Sequence, residues 1–175
     1  TTTATATSRT WSSINPGATA VMTISKTNLD FTEISFSVAN QVSNVKIAVD
    51  TVEKLAAAPS DHVYKYINVS HENINDANIK SATIGFRINR TWIKDNDINK
   101  STVALNRYAT GWRKLPTNLI NDTEEFIYYE AETPGFSVFA ITGEEIVIAP
   151  KIVCGNNVRE AGEECDDPDL GNQTC

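Results

Sequence analysis

Few residues in this chain could carry out chemistry. The two histidines come first, His62 in Ser60-Asp61-His62 and His71 in Ser70-His71-Glu72. An imidazole beside a hydroxyl and a carboxylate could serve as a general base. Sequence neighbours on an extended chain point apart, however, and a nucleophile and its base are brought together in space from separate elements. His62 precedes an expected strand and His71 ends one, so both are expected in exposed positions. The chain contains no glycine-rich phosphate loop, HExxH, GxSxG or zinc-type spacing. No catalytic residue is assigned, and the expectation is a protein that is not an enzyme.

The other chemically capable groups lie near the end of the chain. Glu163, Glu164, Asp166, Asp167 and Asp169 place hard oxygen ligands within a short span, which suits calcium and its six to eight oxygens. The run lacks the alternate-residue spacing of an EF-hand loop, so a solvated acidic loop is the competing reading. No other cofactor is expected. All three cysteines, Cys154, Cys165 and Cys175, share this region. Three single pairings are open to them. Closing the loop between Cys154 and Cys165 would contribute on the order of 3 kcal/mol by the chain-entropy argument. Five Asn-x-Ser/Thr sequons occur, at Asn68, Asn89, Asn99, Asn121 and Asn172, where composition alone gives about three.

Charge narrows the partners. The chain has 175 residues and a formal net charge of -7, which argues against a nucleic-acid groove and its clustered Lys and Arg. Residues 151–175 hold six acids against Lys151 and Arg159, a net -4, while the first 150 residues carry only -3. A core without cysteine, followed by an acidic, cysteine-bearing stretch, points to a separate stapled module and an oxidising, extracellular compartment. The odd cysteine count predicts that the module continues past Cys175. No apolar run is long enough to span a membrane.

The elements that position these groups read as strands. Residues 1–10 are almost all Thr and Ala: either a flexible, O-glycosylated terminus or an extended segment needing a strand partner in its own sheet or in a neighbouring molecule. From Trp11 the pattern has a period of two. Ile34, Phe36 and Val38 alternate with polar residues, as do Val45, Ile47 and Val49, and Ile84, Phe86 and Ile88. Val63, Lys65, Ile67 and Val69 share a face opposite Tyr64 and Tyr66. One short helix is expected at Trp92–Asp95, capped by Thr91. Two hairpins are expected after it, one through residues 109–111 and one through Thr133-Pro134-Gly135, where a positive φ at the glycine would suit the turn. Trp92 and Trp112 are expected to fill the ends of the core. Short strands with turn signals every eight to twelve residues predict an antiparallel β-sandwich over residues 11–149, Ig-like or jelly-roll-like, with a cysteine-rich module over 150–175.

Several blocks together resemble the PGF-pre-PGF domain of archaeal surface proteins over about residues 11–143. They are Val63-Tyr64-Lys65-Tyr66, Ile84-Gly85-Phe86-Arg87-Ile88 with Trp92-Ile93, Val103 to Tyr108, Gly111 to Thr117, and Thr133-Pro134-Gly135-Phe136-Ser137-Val138-Phe139-Ala140-Ile141. The resemblance implies an extracellular domain without catalytic residues. Cys154-Gly155-Asn156-Asn157 and Gly162-Glu163-Glu164-Cys165-Asp166-Asp167 are similar to a cysteine-rich repeat reading CGNG and GEECDDGN, from which the chain departs at Pro168-Asp169-Leu170. The expected function is therefore a structural domain of an archaeal cell-surface glycoprotein that associates with its own copies through strand contacts into a filament or layer. An adhesin or glycan-binding module is the alternative.

Overall fold

The computed structural model describes residues 6–53 and 58–147, and the chain's contacts divide it after Glu145. The first unit is an antiparallel β-sandwich. Strands β1 (Thr7–Ile14), β4 (Val42–Thr51), β5 (His62–Glu72), β7 (Ala104–Tyr108), β8 (Trp112–Lys114) and β11 (Val138–Gly143) form one sheet in the order β1-β4-β5-β11-β7-β8. The other sheet has five strands, β2 (Thr19–Thr23), β3 (Phe31–Val38), β6 (Ile79–Asn89), β10 (Phe126–Glu132) and β9 (Thr117–Asp122), in the order β2-β3-β6-β10-β9. One short α-helix, α1 (Arg90–Asp95), and a 3-10 turn at Asp76–Asn78 complete the described residues. None of the helices there is long and apolar enough to cross a membrane.

The alternating runs do what their period requires. Ile34, Phe36, Val38, Val45, Ile47, Val49, Ile84, Phe86 and Ile88 are all buried between the sheets. Each such side chain contributes about 1.5–3 kcal/mol on removal from water. Edge-to-face aromatic pairs join the layers, Phe31 on Phe139 at 6.1 Å and Phe36 on Phe136 at 5.6 Å. The Asn15-Pro16-Gly17 turn between β1 and β2 closes with Ala18 N–H on Asn15 O at 3.1 Å, and Gly17 takes φ +79°, a conformation that costs glycine little.

Of the two readings of the Thr-rich start, the strand partnered in its own sheet holds for Thr7–Thr10, which form the first half of β1 and pair with Val49 to Lys46 of β4. Three local expectations are corrected. The cap of α1 is Asn89, whose Oδ1 accepts from Thr91 N–H at 2.8 Å, so the helix starts one residue before the expected cap. Tyr108 and Trp112 do pair across the 109–111 turn, but β10 and β11 are not a hairpin. They lie in different sheets, and Thr133-Pro134-Gly135 carries the chain from one layer to the other. Gly17 is the glycine with positive φ among the described residues, so the turn at Gly135 does not depend on that conformation.

Candidate functional site

His62 and His71 stand at opposite ends of β5, nine residues and therefore about 30 Å apart along an extended strand, and they cannot act together. His62 is exposed, with Nε2 at 3.5 Å from a Glu145 carboxylate oxygen. His71 is half-buried. Its Nδ1 lies 2.8 Å from Ile74 O, and its Nε2 lies 3.9 Å from Asp76 Oδ1. The structure therefore ties each histidine to an acid and brings neither to a hydroxyl nucleophile among its described hydrogen bonds.

Three aspartates that sequence reasoning passed over organise the loops. Asp30, the last residue of the β2–β3 loop, takes φ +60° and is buried. Lys65 Nζ pairs with its carboxylate, Arg87 Nε lies 3.5 Å from Oδ1, and Tyr64 O–H donates to Oδ2 at 3.2 Å. Lys65 also donates to Asn28 O at 2.8 Å, and Arg87 N–H donates to Asp30 O at 2.8 Å. The β2–β3 loop is thus clamped to strands of both sheets. Burial, and next the Asp30 charge, push the Tyr64 hydroxyl up to about 12, so it stays a hydrogen-bond donor. Lys65 closes the inward row begun by Ile67 and Val69, and a cation there needs Asp30.

Asp76 clamps the opposite end. Its Oδ1 accepts from Phe136 N–H at 3.1 Å, and its Oδ2 pairs with Arg107, which also donates to Phe136 O at 3.3 Å. A Cβ on Gly135 would overlap this carboxylate. A side chain at the glycine of the Thr-Pro-Gly-Phe block would therefore have to displace the carboxylate of an acid 59 residues earlier in the sequence. Thr133 Oγ1 donates to Gly135 O at 2.7 Å and completes the turn.

Asp122 joins three loops at the α1 end. It pairs with Arg90 and accepts from Lys100 Nζ at 2.7 Å. The Lys100 hydrogen bond is the first cause of its lowered carboxyl pKa, with the Arg90 charge helping. Tyr129 O–H donates to Lys100 O at 2.9 Å, and burial followed by the Asp122 charge pushes that hydroxyl up.

The described sequons are distributed unevenly. Asn68 is mid-strand in β5, paired to Asp50 on one side and Val138 on the other. Asn89 ends β6 and caps α1, Asn99 is an exposed loop residue, and Asn121 is exposed near the end of β9. The proposed calcium ligands Glu163, Glu164, Asp166, Asp167 and Asp169, the Cys154–Cys165 pair and Asn172 lie outside the described residues. No group of metal-binding side chains occurs among the described ones.

The tryptophans separate. Trp92 packs on the core with its ring 5.1 Å from Tyr64. Trp112 does not fill the core. It shares the outer face of its sheet with Tyr66 and Tyr108, 5.8 and 5.2 Å away at interplanar angles of 47° and 62°. On the inner side of the same strands, Arg107 and Arg113 line a cavity of about 230 Å³. A shallower groove of about 470 Å³ follows Ser81–Thr83 and Leu115–Pro116, with Lys80 and Glu132 its ionisable groups.

No known protein family, curated protein or solved structure matches this chain.

Proposed function

We propose that this chain is a non-enzymatic structural domain of an archaeal cell-surface protein, displayed outside the cell and assembled with its own copies through strand contacts into a filament or layer. The supporting observation is that, among the described residues, both sheets end on strands with no further neighbour. The strands β1 and β8 bound one sheet and β2 and β9 the other, and an open edge offers a row of backbone donors and acceptors to another strand. A head-to-tail contact between two different edges repeats without closing. The internal chemistry suits the same role, because Asp30, Asp76 and Asp122 each fasten remote segments to the sandwich. Residues 150–175 add an acidic, cysteine-rich module in which Cys154–Cys165 is the proposed disulfide and Glu163 to Asp169 the proposed calcium ligands.

β1 already lies on its own β4, and its outer edge faces away from the sheet. Deleting residues 1–10 removes the first half of that edge while keeping Trp11 and Ile14, its core contacts. The expected result is a folded, monomeric protein by circular dichroism and sedimentation. Unchanged assembly after the deletion removes the strand-contact reading.

The Trp112, Tyr66 and Tyr108 cluster favours a second reading, a glycan-binding module. Its steep interplanar angles suit a pocket rim better than a flat stacking platform. A glycan array probed with and without chelator, using the native chain and Trp112→Ala, separates the two: binding lost in the variant supports the adhesin.

A further inference from the structure

The central residues of three sequons are the three members of one ion cluster. Asn89-Arg90-Thr91, Asn99-Lys100-Ser101 and Asn121-Asp122-Thr123 meet where Arg90 and Lys100 both pair with Asp122. Arg90 Nε also donates to Thr123 O at 2.9 Å. Segments from the end of β6, from the loop after α1 and from the edge strand β9 are thereby stitched into a single patch. In each acceptor the carbonyl is the atom engaged by the fold. Asn89 Oδ1 caps α1, Asn99 Oδ1 accepts from Ser101 N–H at 3.0 Å, and Asn121 Oδ1 accepts from Asp122 N–H at 2.9 Å. The Nδ2 atoms have no bond partner among the described residues. None of them is among the buried unpartnered atoms, which are Tyr66 Oη and Arg107 Nε.

We infer that Asn89, Asn99 and Asn121 form one N-glycosylated pole of the domain, and that Asn68, held between β4 and β11, stays bare. The inference rests on the extracellular reading above. The donor is an oligosaccharide carried on a lipid phosphate. Nδ2 attacks the anomeric carbon, the N–C bond forms as the C–O bond to phosphate breaks, Nδ2 gives up one proton, and the lipid phosphate leaves. The pole has a consequence for assembly. Asn121 follows Ile120 on β9, where Leu119 and Ile120 are 44% and 60% exposed. An apolar edge of this kind invites unwanted pairing, and a sugar on Asn121 covers it. The β1 and β2 side of the sandwich is then left for self-association.

The test is glycopeptide mass spectrometry on the native protein, with its cellular fraction recorded. Sugar on Asn89, Asn99 and Asn121 with none on Asn68 is the expected result. A surface-located protein with a bare pole, or with Asn68 modified as fully as the others, overturns the inference and leaves the surface reading standing. A cytosolic protein without sugar overturns both. Variants that spare the fold assign the sites: Thr91→Ala keeps the α1 cap, Ser101→Ala keeps the Asn99 backbone turn, and Asn121→Gln keeps the Thr123 bond to Phe126 O. Each should lose one oligosaccharide mass, and Asn121→Gln should also shift the protein to larger species in size-exclusion chromatography. An unshifted Asn121→Gln protein overturns the covering role.

Discussion

Replacing Gly135 by Ala tests the coupling between the Asp76 loop and the crossing from β10 to β11. The added methyl group overlaps the Asp76 carboxylate, so the acid must swing out. That breaks its hydrogen bond from Phe136 N–H, worth about 1.5–3 kcal/mol with a charged acceptor, and leaves Arg107 with only Phe136 O. Arg107 is 15% exposed in its side chain and Asp76 41%. The roughly 3–5 kcal/mol of a broken buried pair is therefore reduced, because the acid regains water. The net expectation is a loss of about 2–4 kcal/mol, or roughly 5–15 °C in Tm for a domain of this size. Gly135 has no positive φ, so no backbone term is added. Asp76→Ala removes the same contacts and should cost a similar amount. In the double variant the methyl group meets no carboxylate, and the total should stay within about 0.5 kcal/mol of Asp76→Ala alone. Urea melts of the four proteins, at a common m-value, measure the cycle. Additive costs would refute the argument, because they would mean that Gly135 and Asp76 do not touch.

Three further outcomes follow from the clusters. Asp30→Ala strands Lys65 and Arg87 near the core and should cost about 2–4 kcal/mol in urea melts, since part of each cation can rehydrate; a loss below about 0.5 kcal/mol counts against the clamp. Tyr64 has a folded pKa raised from 10.0 to about 12. The folded state therefore holds a proton that the unfolded state has released, and this contribution, complete below pH 10, is lost as the pH rises towards 12. Tyr64→Phe should flatten the fall of Tm across that window, and an unchanged slope contradicts the shift. The Asp122 carboxyl is lowered in the folded state, so its contribution is present above about pH 4 and lost on acidification. Asp122→Asn should then lessen the acid-side fall in Tm, and an identical acid profile counts against the ion cluster.

The core was legible because its strands declare themselves through contrast. Ile34, Phe36 and Val38 differ in hydropathy from the residues between them, and one face of that strand is buried. β9 gives no such contrast. Leu119 and Ile120 are adjacent, and the strand lies at an edge with most of both faces exposed, so a period-two signal had nothing to mark. Thr133-Pro134-Gly135 carries turn chemistry, but turn residues do not specify whether the next strand joins the same sheet or the facing one. Its glycine lies against Asp76, a contact that no local pattern encodes. The same holds for Asp30, whose partners Lys65 and Arg87 come from other strands, and for the meeting of three sequons at Asp122. The inward Lys65 was the one available signal, since a lysine in a row with Ile67 and Val69 requires a buried acid. At the start of α1, Asn89 outcompeted Thr91 as the cap because its carbonyl reaches an N–H two residues ahead.

The measurement that bears most directly on the structural role is electron microscopy of the protein purified from its own cells, with immunogold labelling of intact cells alongside. Gold on the outer surface, and filaments or sheets of sandwich-sized subunits in edge contact, are the expected result. Label confined to the cell interior, with dispersed single particles after purification, would contradict it.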